Sequence, residues 1–248
     1  MGGSRHAWTV LAMLLLGCRG PTPDPTPLQR EGEKEPTADA LPVVPVPKFD
    51  VAPPGPKSRP QARQPPDGFS RLDPGIRLDI RYATPNNFTG AALPGYLPRV
   101  AWLRTGAAKA LAQVNADLKD AGLGLLVFDA YRPMRATAAM VAWAKATKKT
   151  ALLSDGYVSP VSNHNRGDTV DLTLVSLEDG SELDMGTAWD TFSEASHYAA
   201  ASGEAMANRK RLRQAMKRRG FVPYDKEWWH FRLKASDEPP RIDVAYDE

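Results

Sequence analysis

Apolar residues alternate with charged or polar residues in 76–82 and again in 169–174. This period of two predicts β-strands, because successive side chains of a strand point to opposite faces. Residues 125–128 are all apolar and predict a short buried strand, and the aromatic stretch 221–233 is typical of extended structure. The chain is therefore expected to contain a few short strands.

Three other segments carry apolar residues at helical spacing. The first predicted helix covers 102–121 and ends at Gly122, the second follows Pro133, and the third covers 202–219 and ends at Gly220. Proline is tolerated in the first turn of a helix and glycine commonly ends one. Because helices precede, separate and follow the strands, we predict an α+β fold with a small, mostly antiparallel sheet and flanking helices.

Composition excludes several classes of protein. The 248 residues are 42% hydrophobic and 25% charged, as in ordinary soluble globular proteins. A net charge of +3 is too small to predict nucleic acid as a partner, and nothing indicates a protein partner. The single cysteine excludes an internal disulfide and a cysteine-based zinc finger, so a metal site would have to use His, Asp or Glu.

The first residues have the pattern of an export signal. Arg5 precedes an apolar run at 7–16, whose ten residues would rise about 15 Å, too little to span a bilayer core of about 30 Å. The run ends in a sequence that resembles a bacterial lipobox, with Cys18 as the lipidated residue. We therefore expect 1–17 to be a lipoprotein signal peptide, and Cys18 to anchor an exported protein in a membrane. Arg19 favours the outer membrane in a cell that has two.

A proline-rich segment separates this leader from the rest of the chain. Residues 18–66 hold 14 of the 23 prolines and few large apolar residues. Such a segment cannot bury enough surface to fold, and proline keeps it extended. We expect a disordered, lipid-anchored spacer, with a proline-rich docking ligand as the alternative. Residues 67–248 then have the size of one domain.

The residues that could perform chemistry lie late in this domain. His164 is in a polar loop seven residues before Asp171, which is on a predicted strand, and His230 follows Glu227 among aromatic residues. Two nitrogens and one oxygen, with one open position, suit a catalytic zinc ion. Glu227 could then accept a proton without being a ligand. By composition alone, each histidine is more often a structural or surface residue than a metal ligand.

The chain from about Leu72 to Leu233 resembles the VanX-type D-alanyl-D-alanine dipeptidases, which belong to the hedgehog-like zinc peptidases. The matching motifs are Arg81-Tyr82-Ala83-Thr84, Asn87-Phe88-Thr89-Gly90, Asp129-Ala130-Tyr131-Arg132-Pro133, Ser162-x-His164-x-x-Gly167 with Asp171-Leu172-Thr173-Leu174, Met185-Gly186-Thr187 with Asp190, and Glu227-Trp228-Trp229-His230. The resemblance implies the hedgehog/DD-peptidase-like zinc peptidase fold for 67–248.

The resemblance also implies roles for individual residues. His164, Asp171 and His230 match the ligands of one Zn2+ per chain. Glu227 matches the general base, and Arg132 matches the arginine that stabilises the oxyanion. The guanidinium group of Arg132 also suits a charged tetrahedral intermediate.

Three further residues match the wall that holds the free amino group of the dipeptide in this family. They are Tyr82, Ser162 and Asp190, although Asp190 could equally cap the segment that follows it. The sequence departs from the family pattern at Thr169, where alanine is usual, and Asp168 adds an acid beside the site. These departures could change how a substrate fits.

The implied function is zinc-dependent hydrolysis of the D-Ala-D-Ala dipeptide by metal-activated water. A related D,D- or L,D-peptidase that acts on longer peptidoglycan stem peptides is the first alternative. The second is a non-catalytic lipoprotein that binds zinc or the cell wall. Glu227 and Arg132 argue against the second alternative, because a binding protein needs neither.

Two other features have structural interpretations. We expect His197 to be a structural residue or one at the rim of the site, and not a ligand. The basic residues of 209–219 predict a solvated helix face, with contact to anionic lipid or wall polymer as the alternative.

Overall fold

A computed structural model describes residues 62–234 and 238–247. The predicted signal peptide, Cys18 and the predicted spacer up to residue 61 lie outside the described residues. In the described part of the chain, no helix is both long enough and apolar enough to cross a membrane.

The central sheet has five strands in the order β2-β4-β5-β7-β6, and a separate sheet pairs β1 with β3. Every pairing is antiparallel except that of β2 with β4. This confirms the predicted α+β fold with a mostly antiparallel sheet. The strands are β1 Phe69–Arg71, β2 Arg77–Leu78, β3 Trp102–Arg104, β4 Leu123–Asp129, β5 Thr169–Ser176, β6 Phe221–Tyr224 and β7 Glu227–Leu233.

In the part of the chain that the structure describes, four α-helices accompany the sheets, and they are α1 Thr105–Leu118, α2 Met134–Ala146, α3 Ala151–Ser154 and α4 Gly203–Arg218. The prediction that the first helix begins at Trp102 is wrong. Residues 102–104 pair with β1 instead, so a long-range strand pairing overrides their local pattern. The strand predicted over 76–82 is also too long, because the chain leaves β2 after Leu78 and forms a 3-10 turn at Arg81–Ala83.

The middle strand, β5, is buried from Thr169 to Val175. Its alternating pattern would normally place one face in solvent, but both faces of this strand are covered. Asp171 and Thr173 are therefore polar residues inside the protein, with 3% and 0% of their surface exposed. A buried carboxylate is costly unless a hydrogen bond or an opposite charge compensates it, so the groups around Asp171 must supply one.

A β-bulge in β4 sets the alignment of the sheet at this point. Val127 pairs with Leu172, but the next pairing joins Asp129 to Asp171, so Phe128 is the extra residue. On the other side of β5, Asp171 pairs with His230 of β7. Paired residues of adjacent strands point to the same face. Asp129, Asp171 and His230 thus form one row across three strands.

Candidate active site

The potential ligand atoms of His164, Asp171 and His230 lie close together on the face of the sheet to which this row points. His164 Nε2 lies 3.3 Å from Asp171 Oδ1 and 3.3 Å from His230 Nδ1, and His230 Nδ1 lies 3.0 Å from Asp171 Oδ1. Ligands about 2.0–2.1 Å from a tetrahedral zinc ion are about 3.3–3.4 Å from one another. The three atoms therefore already have nearly the spacing that a zinc ion would impose, and the three residues form a group that could hold a metal.

His164 is oriented by the loop that carries it. It lies in a 3-10 turn at Asn163–Arg166, where its backbone N–H donates to Ser162 Oγ. Its Nδ1 is 2.8 Å from the carbonyl oxygen of Ala130. A carbonyl only accepts, so Nδ1 carries a proton, and in the neutral ring the lone pair is on Nε2, which faces the other two ligands. Such a backbone contact is the usual way to fix the tautomer of a metal-binding histidine.

The chemistry of this donor set fits a bound cation. Asp171 Oδ1 is buried and has no hydrogen-bond partner among the described residues, and the Nε2 of His164 lies 3.3 Å from it. Burial would raise the pKa of Asp171, but the neighbouring His164 and His230 hold the pKa of this carboxyl group below its ordinary value. The ionised oxygen thus lies beside two imidazole nitrogens, and a metal ion between the three atoms would compensate the carboxylate and bind both nitrogens.

Glu227 lies beside the ligands but outside the triangle. Its Oε2 is 3.5 Å from His230 Nδ1, and only 8% of the residue is exposed. Burial raises the pKa of Glu227 well above its ordinary value, and the nearby carboxylates of Asp171 and Asp190 raise it further. A carboxylate with an elevated pKa is a stronger base, which is the property that a catalytic proton acceptor requires.

Arg132 reaches the site from the start of α2 and is held by Asp129. Its Nε and Nη2 both donate to Asp129 Oδ2, at 2.9 and 2.8 Å. The other carboxylate oxygen, Oδ1, accepts from Tyr96 and from the backbone N–H of Ala130. Burial alone would lower the pKa of Arg132, but Asp129 and other nearby groups raise it well above its ordinary value. Arg132 is therefore a fixed positive charge with N–H groups left for a ligand.

The opposite wall of the site contains Tyr82 and Asp190. The Tyr82 hydroxyl donates to Asp190 Oδ2 at 2.8 Å, and the guanidinium group of Arg132 lies over the Tyr82 ring, 5.0 Å from its centre. Burial raises the pKa of Asp190 well above its ordinary value, although the hydrogen bond from Tyr82 opposes this. Asp190 also has a positive φ of 59°, a conformation uncommon outside glycine that often marks functional sites.

One cavity of about 290 Å3 joins these groups. The structure brings all eight residues that the sequence singled out for the site to its wall, and they are Tyr82, Arg132, Ser162, His164, Asp171, Asp190, Glu227 and His230. The volume is at the lower end of the range for ligand pockets, which is about 300–1,000 Å3. The cavity therefore suits a small ligand.

The remaining histidine, His197, is not in the His164–Asp171–His230 group. Its Nε2 is 3.1 Å from the hydroxyl of Tyr157, which lines the cavity. Asp168 and Thr169 are absent from the cavity wall. The Asp168 carboxylate accepts instead from Arg232 Nε at 3.0 Å and from the Thr169 hydroxyl.

The roles of two positioning residues, Asp129 and Arg209, were not predicted from the sequence. Asp129 belongs to a motif noted above, yet only its contacts reveal that it holds Arg132. Arg209 was assigned to a solvated face, which is wrong, because it is 1% exposed. It donates to the carbonyls of Met185, Ala195 and His197, and thereby holds the segment that contains Asp190. The helical spacing of Arg209 from Ala205 and Leu212, which are both buried, is the local signal that could have separated it from its exposed neighbours.

A His-Asp-His group with ligand atoms 3.0–3.3 Å apart, together with a glutamate and an arginine in the same cavity, is the arrangement expected of a metallopeptidase. Residues 67–246 match the family model described as D-ala-D-ala dipeptidase, Peptidase M15. The chain belongs to this family of peptidases, as the resemblance of its motifs predicted.

Relatives named D-alanyl-D-alanine dipeptidase support the same assignment. The Enterococcus faecium protein is 38% identical over 190 residues, which cover 69% of this chain and 93% of the relative. The Streptomyces coelicolor protein is 37% identical, covering 70% and 92%. The Escherichia coli protein is 36% identical, covering 68% and 84%. Among solved structures, the LdcB LD-carboxypeptidase is similar, with 18% identity and a TM-score of 0.43 over 69% of each chain.

Proposed function

We propose that this protein hydrolyses the dipeptide D-Ala-D-Ala with one zinc ion per chain, held by His164, Asp171 and His230. The observation that carries the proposal is the triangle of ligand atoms, 3.0–3.3 Å on each side, with the Glu227 carboxylate 3.5 Å from one corner. The names and sequence identity of the relatives support the choice of substrate.

Glu227 is the proposed general base and acid. When bound, zinc supplies Lewis acidity, which activates water and polarises a carbonyl group. The Glu227 carboxylate takes the proton of the attacking water and then delivers it to the nitrogen of the leaving amine. Its buried position keeps its pKa high enough for both transfers.

Arg132 and the wall opposite it position the substrate. The N–H groups of Arg132 that Asp129 leaves unused donate to the carbonyl oxygen as it gains negative charge. The carboxylate of Asp190 and the hydroxyl oxygen of Tyr82 accept hydrogen bonds from the free ammonium group of the dipeptide. Ser162 completes that part of the wall. An ammonium group would also compensate the buried carboxylate of Asp190, so this wall favours peptides with a free amino end close to the scissile bond.

The test is hydrolysis by the purified protein of D-Ala-D-Ala, of L-Ala-L-Ala and of a stem pentapeptide, with zinc supplied or removed by a chelator. We expect zinc-dependent cleavage of D-Ala-D-Ala in preference to the other two. Preference for the pentapeptide would support the alternative of a stem-peptide peptidase. Bound zinc without cleavage of any peptide would support the non-catalytic alternative.

We further propose that the protein is exported and anchored in a membrane through lipid on Cys18, with 18–66 as the spacer. The apolar run and the cysteine that follows it support this proposal. Cys18→Ala should release the protein from the membrane fraction or block its maturation. If the variant stays in the membrane fraction and has the same processed mass as the wild-type protein, the proposal is wrong. Separation of inner and outer membranes tests the location in a cell with two.

A further inference from the structure

An open groove adjoins the active-site cavity along the β6–β7 hairpin. It has a volume of about 490 Å3, and we call it the hairpin groove. It is lined by Asn163, Val222, Pro223, Tyr224, His230, Arg232, Lys234 and Glu238. Three of these residues, Asn163, Tyr224 and His230, also line the active-site cavity. The two spaces therefore adjoin each other at the side of the cavity where His230 lies.

The groove and the ligands occupy the same face of the central sheet. Arg232 follows His230 by two residues on β7, so their side chains point to the same face. Arg232 pairs with Thr169 of β5 on one side and with Val222 of β6 on the other. This row is about 7 Å from the row of His230, because a strand rises about 3.3–3.4 Å per residue.

The charges of the groove leave one cation without a carboxylate partner. Arg232 donates to Asp168 and to Glu238, and Glu238 is also 2.7 Å from Arg166. Lys234 is exposed and forms no ion pair with any described residue. Among the described residues, the groove thus offers at its far end one positive charge that has no ion pair.

The floor of the groove is partly apolar. The residues Val222 and Tyr224 are 50% and 38% exposed, although both are large and hydrophobic. Contact with the methylene groups of a ligand would remove this surface from water. A ligand with an aliphatic stem and a terminal anion would match both the floor and Lys234.

If the proposed dipeptidase function holds, the position of the acidic wall fixes which end of the bound dipeptide lies near the hairpin groove. Its ammonium group lies at Asp190 and Tyr82, neither of which lines the hairpin groove. The residue after the scissile bond then extends past His230 towards the groove. We propose that the hairpin groove binds the side chain of this second residue and favours an acidic one.

The dimensions support this proposal. A glutamate side chain in the second residue would place its carboxylate about 6 Å from the scissile carbonyl carbon. Lys234 follows His230 by four residues, about 13 Å along the strand direction. An extended lysine side chain itself reaches about 6 Å from its Cα atom. A glutamate carboxylate therefore reaches further towards the Lys234 ammonium group than the methyl group of alanine does.

The experiment compares D-Ala-D-Glu with D-Ala-D-Gln, which have nearly the same shape but differ in charge, and uses D-Ala-D-Ala as the reference substrate. For the wild-type protein, kcat/KM should be roughly two- to fivefold higher for the glutamate peptide, as expected for a solvent-exposed ion pair. Raising the salt concentration should reduce this ratio. The ratio should fall to about one in Lys234→Ala and below one in Lys234→Glu. Lys210→Ala, an exposed lysine of α4, is the matched control and should keep the wild-type ratio.

The outcomes separate the two proposals. If the wild-type protein cleaves D-Ala-D-Ala but does not favour the glutamate peptide, or cleaves neither longer dipeptide, the groove inference is wrong. It is also wrong if Lys234→Ala keeps the wild-type ratio. If no dipeptide is cleaved in the presence of zinc, the proposed function itself fails, and the groove inference fails with it.

Discussion

The contact between Asp129 and Arg132 gives the sharpest test of how this site is built. We predict that Asp129→Asn lowers kcat for D-Ala-D-Ala by about 10²–10³-fold, as expected when an oxyanion donor is lost. Asparagine has the same shape, but its neutral amide cannot hold the guanidinium group with two charge-assisted hydrogen bonds to one oxygen, as Asp129 does. Arg132 would then lose its fixed orientation.

The same substitution should also destabilise the protein. Asp129 is completely buried and the Arg132 side chain is 11% exposed, so the change leaves a buried charge without its partner. Breaking such a pair costs about 3–5 kcal/mol. This is less than the total stability of most domains, about 5–15 kcal/mol, so the variant can be measured while folded. Denaturant unfolding gives the loss of stability, and steady-state kinetics gives kcat.

Zinc content and a double mutant complete this test. His164 Nδ1 is 2.8 Å from the carbonyl oxygen of Ala130 and 3.4 Å from Asp129 Oδ2, and the substitution leaves the shorter contact in place, so bound zinc should remain near the wild-type level. Arg132→Ala combined with Asp129→Asn should be scarcely slower than Arg132→Ala alone, because Asp129 acts through Arg132. Asp117→Asn removes the carboxylate that pairs with Arg219 outside the site and is the control. If the losses in kcat of the two single variants add in full in the double variant, or if Asp129→Asn keeps the wild-type kcat, Asp129 does not act through Arg132.

Three further predictions concern the ligands, the base and the loop. His164→Ala, Asp171→Ala and His230→Ala should each lose bound zinc, whereas His197→Ala should retain it. Elemental analysis of the purified variants measures the zinc content. One zinc ion per chain in His230→Ala would contradict the proposed ligands. Glu227→Gln should lower kcat by about 10²–10⁴-fold with zinc and unfolding midpoint near wild type, and equal cleavage by this variant would exclude Glu227 as the base. Gly167→Ala should lower both the unfolding midpoint and bound zinc, because the added Cβ would collide with the Phe69 ring next to the His164 loop and alanine is strained at a φ of 77°. Gly106→Ala, where a Cβ meets nothing within 4 Å, is the control, and an unchanged midpoint in Gly167→Ala would contradict the packing argument.

The fold class was predictable because it depends on patterns within each segment. The buried run at 125–128 became part of β4, the alternation at 169–174 became part of β5, and the helix predicted after Pro133 became α2. Predictions were wrong where contacts distant in sequence decide the structure. The segment 102–104 looks helical by itself, but its backbone pairs with β1.

The chain alone also identified the chemical groups of the candidate site, because their types and spacing match one peptidase family. Only the tertiary structure decided their alignment. The bulge at Phe128 moves Asp129 into the row of Asp171 and His230, and without the extra residue Asp171 would face Phe128. A shift of one residue turns a strand's side chains to the opposite face, and local sequence does not encode that shift. Burial likewise distinguishes Arg209, enclosed by three carbonyl groups, from exposed Lys210 beside it. The sequence thus determined which chemical groups are present, and the packing of distant segments determined which of them meet.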